Sequence, residues 1–203
     1  MRFSAPSYKQ VRRVFGRFVR GVYRLEVTGA ESLPATGPVL IAGNHDSVLD
    51  GIVLGAAVER DLSFLGKAEL WRFRPLAWVL DGVGAIPIER GRGDLEALAR
   101  ARRALESGQA VAIFPQGSVH GDRRWRRGAA RLALATGAPI VPVRHVGTAR
   151  ALSRRRIGFP QVRIIVGEPI PVAPTPDDPD AATELTERLR MAVESLGEAE
   201  SVP

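Results

Sequence analysis

The sequence predicts a single-domain α/β fold, a mixed central sheet flanked by helices. Three observations predict it: short apolar stretches of strand length, amphipathic stretches at helical spacing between them, and glycine or proline at most of the joins. At 203 residues, 45% hydrophobic and 25% charged, the chain can bury a full core without staples. Residues 1–24 read as a basic amphipathic helix and residues 25–200 as the main domain, with no internal repeat and no second domain.

The first element rests on Val11, Val14, Phe15, Phe18, Val19 and Val22, which recur at the spacing of one helical face, with Arg12, Arg13, Arg17, Arg20 and Arg24 around the other side. Two fates suit such a helix: its apolar stripe lies in a membrane interface with the arginines at lipid phosphates, or it packs on the protein's own core. Residues 24–28 alternate as a strand, 29–37 read as turn, and 38–42 form a short apolar strand. The polar cluster 43–47 comes next, then a buried helix over 48–58, a strand over 62–65, a short helix over 75–80 and a strand over 84–88. A helix opening at Asp94 carries Leu95, Leu98, Ala99, Arg102 and Leu105 and is ended by Gly108, before a strand over 110–114. A helix over 128–136 closed by Gly137, strands over 140–143 and 162–166, a proline-rich acidic connection over 171–179 and an amphipathic helix over 181–196 complete the order.

Composition bounds the chemistry. The absence of cysteine excludes disulfides, thiolate nucleophiles and cysteine-based metal sites. Twenty-nine basic against 22 acidic residues, a formal charge of +7, favour an anionic partner: nucleic acid, anionic lipid or a phosphorylated substrate. Lys9 and Lys67 are the only lysines, so the cations are mostly arginine, the side chain suited to bidentate phosphate contact, although genomic base composition produces the same bias. No recognition-helix signature, zinc spacing or aromatic RNA platform accompanies the charge, and no nucleic acid is expected. The N-terminus carries no apolar signal region and the longest apolar run, 51–58, is too short to cross a bilayer. The expectation is a peripheral protein on the cytoplasmic face of the cell membrane, without transmembrane helix or signal peptide.

In α/β sheets the loops leaving strand C-terminal ends carry the site, which directs attention to the stretches after Ala42, Ile88, Phe114 and Val143. The first holds His45 and Asp50. Five residues apart on one helix they would point about 140° apart. With Ser47 as N-cap, His45 precedes the helix and Asp50 sits in its first turn, kept ionised by the helix dipole and able to reach back to the ring. A carboxylate on one imidazole nitrogen fixes the tautomer and leaves the other nitrogen free to take a proton from a hydroxyl. This is half of a catalytic triad without its nucleophile, so the attacking hydroxyl is expected to belong to the substrate. The same residues also read as a purely structural capping box.

Asn44-His45 with Asp50 resembles the His-x4-Asp motif of the lysophosphatidic acid (1-acylglycerol-3-phosphate) acyltransferase family, and three further blocks appear in that family's order. Residues 84–90 are similar to its strand ending in an arginine, here Arg90, which holds the acceptor phosphate. Residues 113–118 resemble its Phe-Pro-Glu-Gly-Thr/Ser stretch, with Gln116 in place of the usual glutamate, then Gly117 and Ser118. Glutamine keeps a carbonyl acceptor and gains a donor but loses the charge. Residues 138–143 resemble its proline-containing strand, whose Pro139 and Pro142 are expected to shape an apolar wall for the acyl chain. Arg123, Arg124, Arg126 and Arg127 resemble the basic element after the third block, and His120 reads as a loop or rim residue.

The resemblance covers roughly residues 10–170 and implies a glycerolipid acyltransferase fold and O-acyltransferase chemistry in phospholipid biosynthesis. It implies His45 as general base held by Asp50, and substrate contacts from Asn44, Arg90, Gln116, Gly117, Ser118, Arg126 and Arg127, with backbone amides near Gly117 at the oxyanion. The implied donor is acyl-CoA or acyl-carrier protein, and the acceptor a phosphate-bearing lysolipid at a membrane surface with anionic lipid. It implies no metal, no cofactor and no covalent acyl-enzyme. Gln116 keeps open a different acceptor, a glycolipid or another lysolipid, or a non-catalytic lipid-binding adaptor.

Overall fold

The computed structural model describes residues 8–82, 85–88, 94–117, 119, 123–153, 156–175 and 178–198. Among them the strands run β1 (Glu26–Thr28), β2 (Val39–Gly43), β3 (Leu62–Lys67), β4 (Ile86–Ile88), β5 (Ala110–Ile113), β6 (Ile140–Val146), β7 (Leu152–Ser153), β8 (Arg156–Ile157) and β9 (Arg163–Val166). The helices are α1 (Tyr8–Val11), α2 (Arg17–Val22), α3 (Asp50–Ala57), α4 (Arg74–Gly82), α5 (Asp94–Glu106), α6 (Gly128–Thr136), α7 (Thr148–Ala151) and α8 (Pro179–Glu198).

Seven of the described strands form one mixed sheet in the order β1-β9-β6-β2-β5-β3-β4, with β7 and β8 as a separate small antiparallel pair. From β6 to β4 every neighbour is parallel; β9 runs antiparallel to β6 and carries β1 parallel to itself. The central strand β2 has the sequence VLIAG and every residue buried, as a parallel strand covered on both faces must. Its alternation divides the core. Val39 and Ile41 join Val19, Val53, Leu54 and Val143 on one face, while Leu40 and Ala42 join Leu105, Ala129, Leu132, Leu189 and Val193 on the other.

The N-terminal stripe does not stay on one face. A π-turn over Arg12–Gly16 separates α1 from α2, and its extra residue per turn rotates α2 relative to the α-helical spacing. Val19 and Tyr23 are buried in the core and Val22 packs against it, whereas Val14 and Phe18 are 68% and 65% exposed. Arg20 folds back onto the domain: its Nε and Nη2 donate to the carbonyls of Ala56 and Ala57 at 3.0 and 3.3 Å. It thus caps the C-terminus of α3, where cations are favoured.

Candidate active site

The ends of β2, β5 and β6 lie side by side at the middle of the sheet, with Ala42 level with Ile113 on one side and Pro142 on the other. In chain order β3 lies beyond β5 on one side of β2 while β6 lies on the other, so this is the point where the chain's direction of travel across the sheet reverses. Gly43 ends β2 against β6; a Cβ there would lie 2.5 Å from the Val143 carbonyl oxygen and 3.2 Å from the His145 ring, so only glycine fits. Asn44 then takes over the pairing: its Nδ2 donates to the His145 carbonyl at 3.0 Å and its Oδ1 accepts the His145 N–H at 2.7 Å. Asn44, expected as a substrate contact, here acts as a clamp for the loop.

The clamp delivers His45 just ahead of the helix. Its Nδ1 lies 2.9 Å from Asp50 Oδ2, with His45 17% exposed and Asp50 fully buried. The same carboxylate oxygen accepts the backbone N–H groups of Asp46 and Ser47 at 2.7 and 2.8 Å. Burial, the largest influence, pushes the Asp50 carboxyl up, but the bond from His45, the nearby His145, the Ser47 amide and the Thr148 hydroxyl together outweigh it and hold its pKa below the usual carboxylate value. With the carboxylate ionised, Nδ1 carries the proton donated to it and Nε2 is left as the basic nitrogen. Asp50 is the first residue of α3 and Leu49 its N-cap; Ser47 is not the cap, its hydroxyl accepting Leu49 N–H at 3.3 Å inside the turn that precedes the helix.

Two residues of the β5 loop complete the support of His45. The Phe114 ring stacks on its imidazole at 4.5 Å and 14°. Gln116, buried, accepts the His45 N–H through Oε1 at 2.8 Å. A glutamate oxygen could make this bond equally, so the loss of charge at this position leaves the support of His45 intact. Gly117 has φ 64° and its N–H closes the turn on the Phe114 carbonyl at 2.9 Å. That amide is therefore committed within the turn, and the amide of Ser118 beside it lies outside the described residues.

The arginines divide. Arg123 pairs with Asp46, which also accepts from Asn44 Nδ2 at 2.5 Å, tying the basic segment to the His45 loop. The Arg126 side chain lies over Gly117, 3.6 Å from where a Cβ would be. Arg127 turns away toward α8, its Nη1 3.5 Å from Thr183 Oγ1, and does not join the site. Pro142 is buried in β6 and meets Gly167 beside Leu196 of α8, while the Pro139 carbonyl accepts Leu40 N–H at 3.0 Å. Pro142 thus packs between the sheet and α8, and Pro139 contributes its carbonyl to the sheet. Arg90, Ser118 and His120 lie outside the described residues. Among those described, no group of three or more His, Asp or Glu side chains is placed to hold a metal ion.

Behind the pair lies a buried polar group that the motifs do not name. His145 and Thr148 are 2% and 0% exposed, and Asp50 Oδ1, Thr148 Oγ1 and both His145 ring nitrogens make no hydrogen bond among the described residues. Burial pushes the His145 pKa down to about 4, against the pull of Asp50. The only signal in the sequence was position, since β6 runs three residues past the apolar stretch over 140–143 and brings His145 beside Gly43.

A parallel-centred α/β sheet presenting a carboxylate-held imidazole at its reversal point, with the ring steadied on both its face and its backbone, is the arrangement of a protein with a His–Asp pair suited to general-base chemistry. The chain belongs to the acyltransferase family, whose profile matches residues 24–146. Several of the relatives it is similar to are named 1-acyl-sn-glycerol-3-phosphate acyltransferases. A chloroplastic one from Brassica napus is 28% identical over 157 residues, covering 73% of this chain and 45% of the relative. One from Bacillus subtilis is 27% identical over 176 residues, covering 85% of this chain and 87% of the relative. The chain thus spans less than half the length of the plant relatives it matches. The crystal structure of the enzyme PlsC from Thermotoga maritima shares the fold, with a TM-score of 0.74 at 20% identity over 96% of this chain and 81% of that one.

Proposed function

We propose that this chain moves a fatty acyl group from a thioester donor, acyl-CoA or acyl-carrier protein, to a hydroxyl of a phosphate-bearing lysolipid. The observation that carries this reading is the His45–Asp50 contact at 2.9 Å, which leaves Nε2 as the basic nitrogen. The activity for which the relatives are named points the same way. In this mechanism Nε2 takes the proton of the acceptor hydroxyl as its oxygen attacks the thioester carbonyl. The tetrahedral intermediate collapses with the C–S bond breaking, and the imidazolium returns its proton to the departing thiolate. Asp50 stays ionised throughout and steadies the imidazolium. Arg123, tied to the His45 loop through Asp46, and Arg126, over Gly117, supply cations for an acceptor phosphate. Ser47, 1% exposed with its hydroxyl turned to Leu49, supports no covalent acyl-enzyme.

Gln116 gives no reason to read the chain as a non-catalytic adaptor, because its carbonyl serves the His45 backbone directly. The test is transfer from a series of acyl-CoAs to lysolipid acceptors by the purified chain, with product mass and free-thiol release as readouts. His45→Ala is expected to lose transfer by at least ~10³-fold and Asp50→Asn by ~10²–10⁴-fold, the range for removing a base or fixing its wrong tautomer. His45→Ala turnover near wild type would overturn the mechanism.

A further inference from the structure

Beyond Gln116 a cleft of about 610 Å³ opens, walled on one side by Arg123, Arg124 and Trp125 and on the other by Glu187, Arg190 and Glu194 of α8. Its floor connects to His45 through a single side chain. The Gln116 amide is oriented by His45, since an N–H donor demands the carbonyl end and would clash with the NH₂ end. Nε2, which makes no hydrogen bond among the described residues, is therefore the end that the 7%-exposed side chain turns to the cleft.

Size and charge restrict the occupant. A cleft of about 610 Å³ falls in the roughly 300–1,000 Å³ range that encloses a drug-sized group, far more than a bare phosphate needs. A multiply charged anion resting on the α8 wall would face two carboxylates. An ammonium would find both already engaged, because Arg190 bonds Glu187 through Nε at 2.9 Å and Glu194 through Nη1 at 2.7 Å. Hydroxyls suit this wall, since each can donate to a carboxylate oxygen and accept from a guanidinium or from Gln116 Nε2. A phosphate would meet the guanidiniums of Arg123, shared with Asp46, and of Arg124 on the facing wall.

Building on the acyl-transfer reading, we propose that this cleft receives the acceptor's headgroup, and that the headgroup is polyhydroxylated, a sugar or polyol esterified to phosphate, rather than a bare phosphate or a phosphoethanolamine. Gln116 then sets acceptor choice by donating from Nε2 to a headgroup oxygen, while its carbonyl holds His45. Arg190 and its two glutamates read the hydroxyls.

The experiment has two arms. In the first, transfer from one acyl-CoA to lysophosphatidylinositol, lysophosphatidylethanolamine and lysophosphatidic acid is measured for the wild-type chain and for Arg190→Ala. The expected result is at least about tenfold higher kcat/KM for the inositol lipid than for the other two, the discrimination open to a site that hydrogen-bonds substrate hydroxyls. Arg190→Ala is expected to collapse that ratio. In the second arm, binding of the deacylated headgroups glycerophosphoinositol and glycerol 3-phosphate is measured by calorimetry on the same two proteins. Among the described residues Arg190 pairs within its own helix, so its loss leaves the fold in place, and circular dichroism verifies this. Equal use and equal binding of the acceptors, or an inositol preference that Arg190→Ala does not change, overturns the proposal. Arg190-dependent headgroup binding with no transfer to any acceptor overturns the acyl-transfer reading and keeps the cleft as a polyol site.

Discussion

Asn44 commits both ends of its amide to one backbone position, completing across the gap after Gly43 the pairing that β2 and β6 make along their length. Because both partners are buried groups of His145, removing the amide strands a donor and an acceptor together. Asn44→Ala is therefore expected to destabilise the fold by about 2–5 kcal/mol, each stranded buried group costing about 1–3 kcal/mol. Urea unfolding measures it, and a midpoint equal to wild type would show that the clamp contributes nothing. At this scale His45, Asp50 and Gln116 were legible, because a base with its carboxylate and a motif departure are statements about residue type. The work of Asn44 and Gln116 was not. Their targets are the backbone groups of His145 and His45, 101 and 71 positions away, and backbone partners leave no trace in residue type.

At the scale of elements the regular strands and helices were legible from periodicity, and the misses fall where periodicity is broken. The N-terminal stripe is the clearest case. Helical spacing places Val14, Phe18, Val19 and Val22 together, but the π-turn sends Val19 inward and leaves Val14 and Phe18 at the surface near the exposed arginines 13 and 17. Packing on the core, one of the two fates read for this helix, holds for Val19 and Val22; for Val14 and Phe18 contact with a membrane is a proposal. Exposed apolar side chains flanked by guanidiniums suit an anionic membrane surface. Val14→Ser with Phe18→Ser is expected to weaken sedimentation with phosphatidylglycerol vesicles by about a hundredfold or more while leaving the thermal midpoint within a few degrees, burial of each side chain being worth about 1.5–3 kcal/mol. Val19→Ala should do the reverse. Vesicle binding untouched by the double change would place the membrane contact elsewhere. Among the described residues no helix is long and apolar enough to cross a membrane.

For the whole molecule the buried polar group behind the site links stability to pH. Burial, aided by the nearby His45 and Arg144, outweighs the pull of Asp50 and Asp46 on His145 and holds it near a pKa of about 4 against the usual 6.5. A depressed histidine is neutral in the fold while the unfolded chain still takes up a proton below 6.5. Stability is therefore full above that value and falls as pH drops toward about 4, where the folded form begins to bind the proton as well. A gap of this size corresponds to a loss on the order of 3 kcal/mol across the window. Asp50 acts lower down: its carboxyl is held below 3.8, so its contribution is present above that value and is lost only as pH falls through the lowered one. The two contributions separate by mutation. His145→Asn removes the titrating ring and is expected to flatten the fall in urea-derived stability between pH 6.5 and pH 4 relative to wild type, leaving the loss at lower pH that belongs to Asp50. A variant that loses as much stability as wild type over that window would mean that His145 takes up its proton without opening the core.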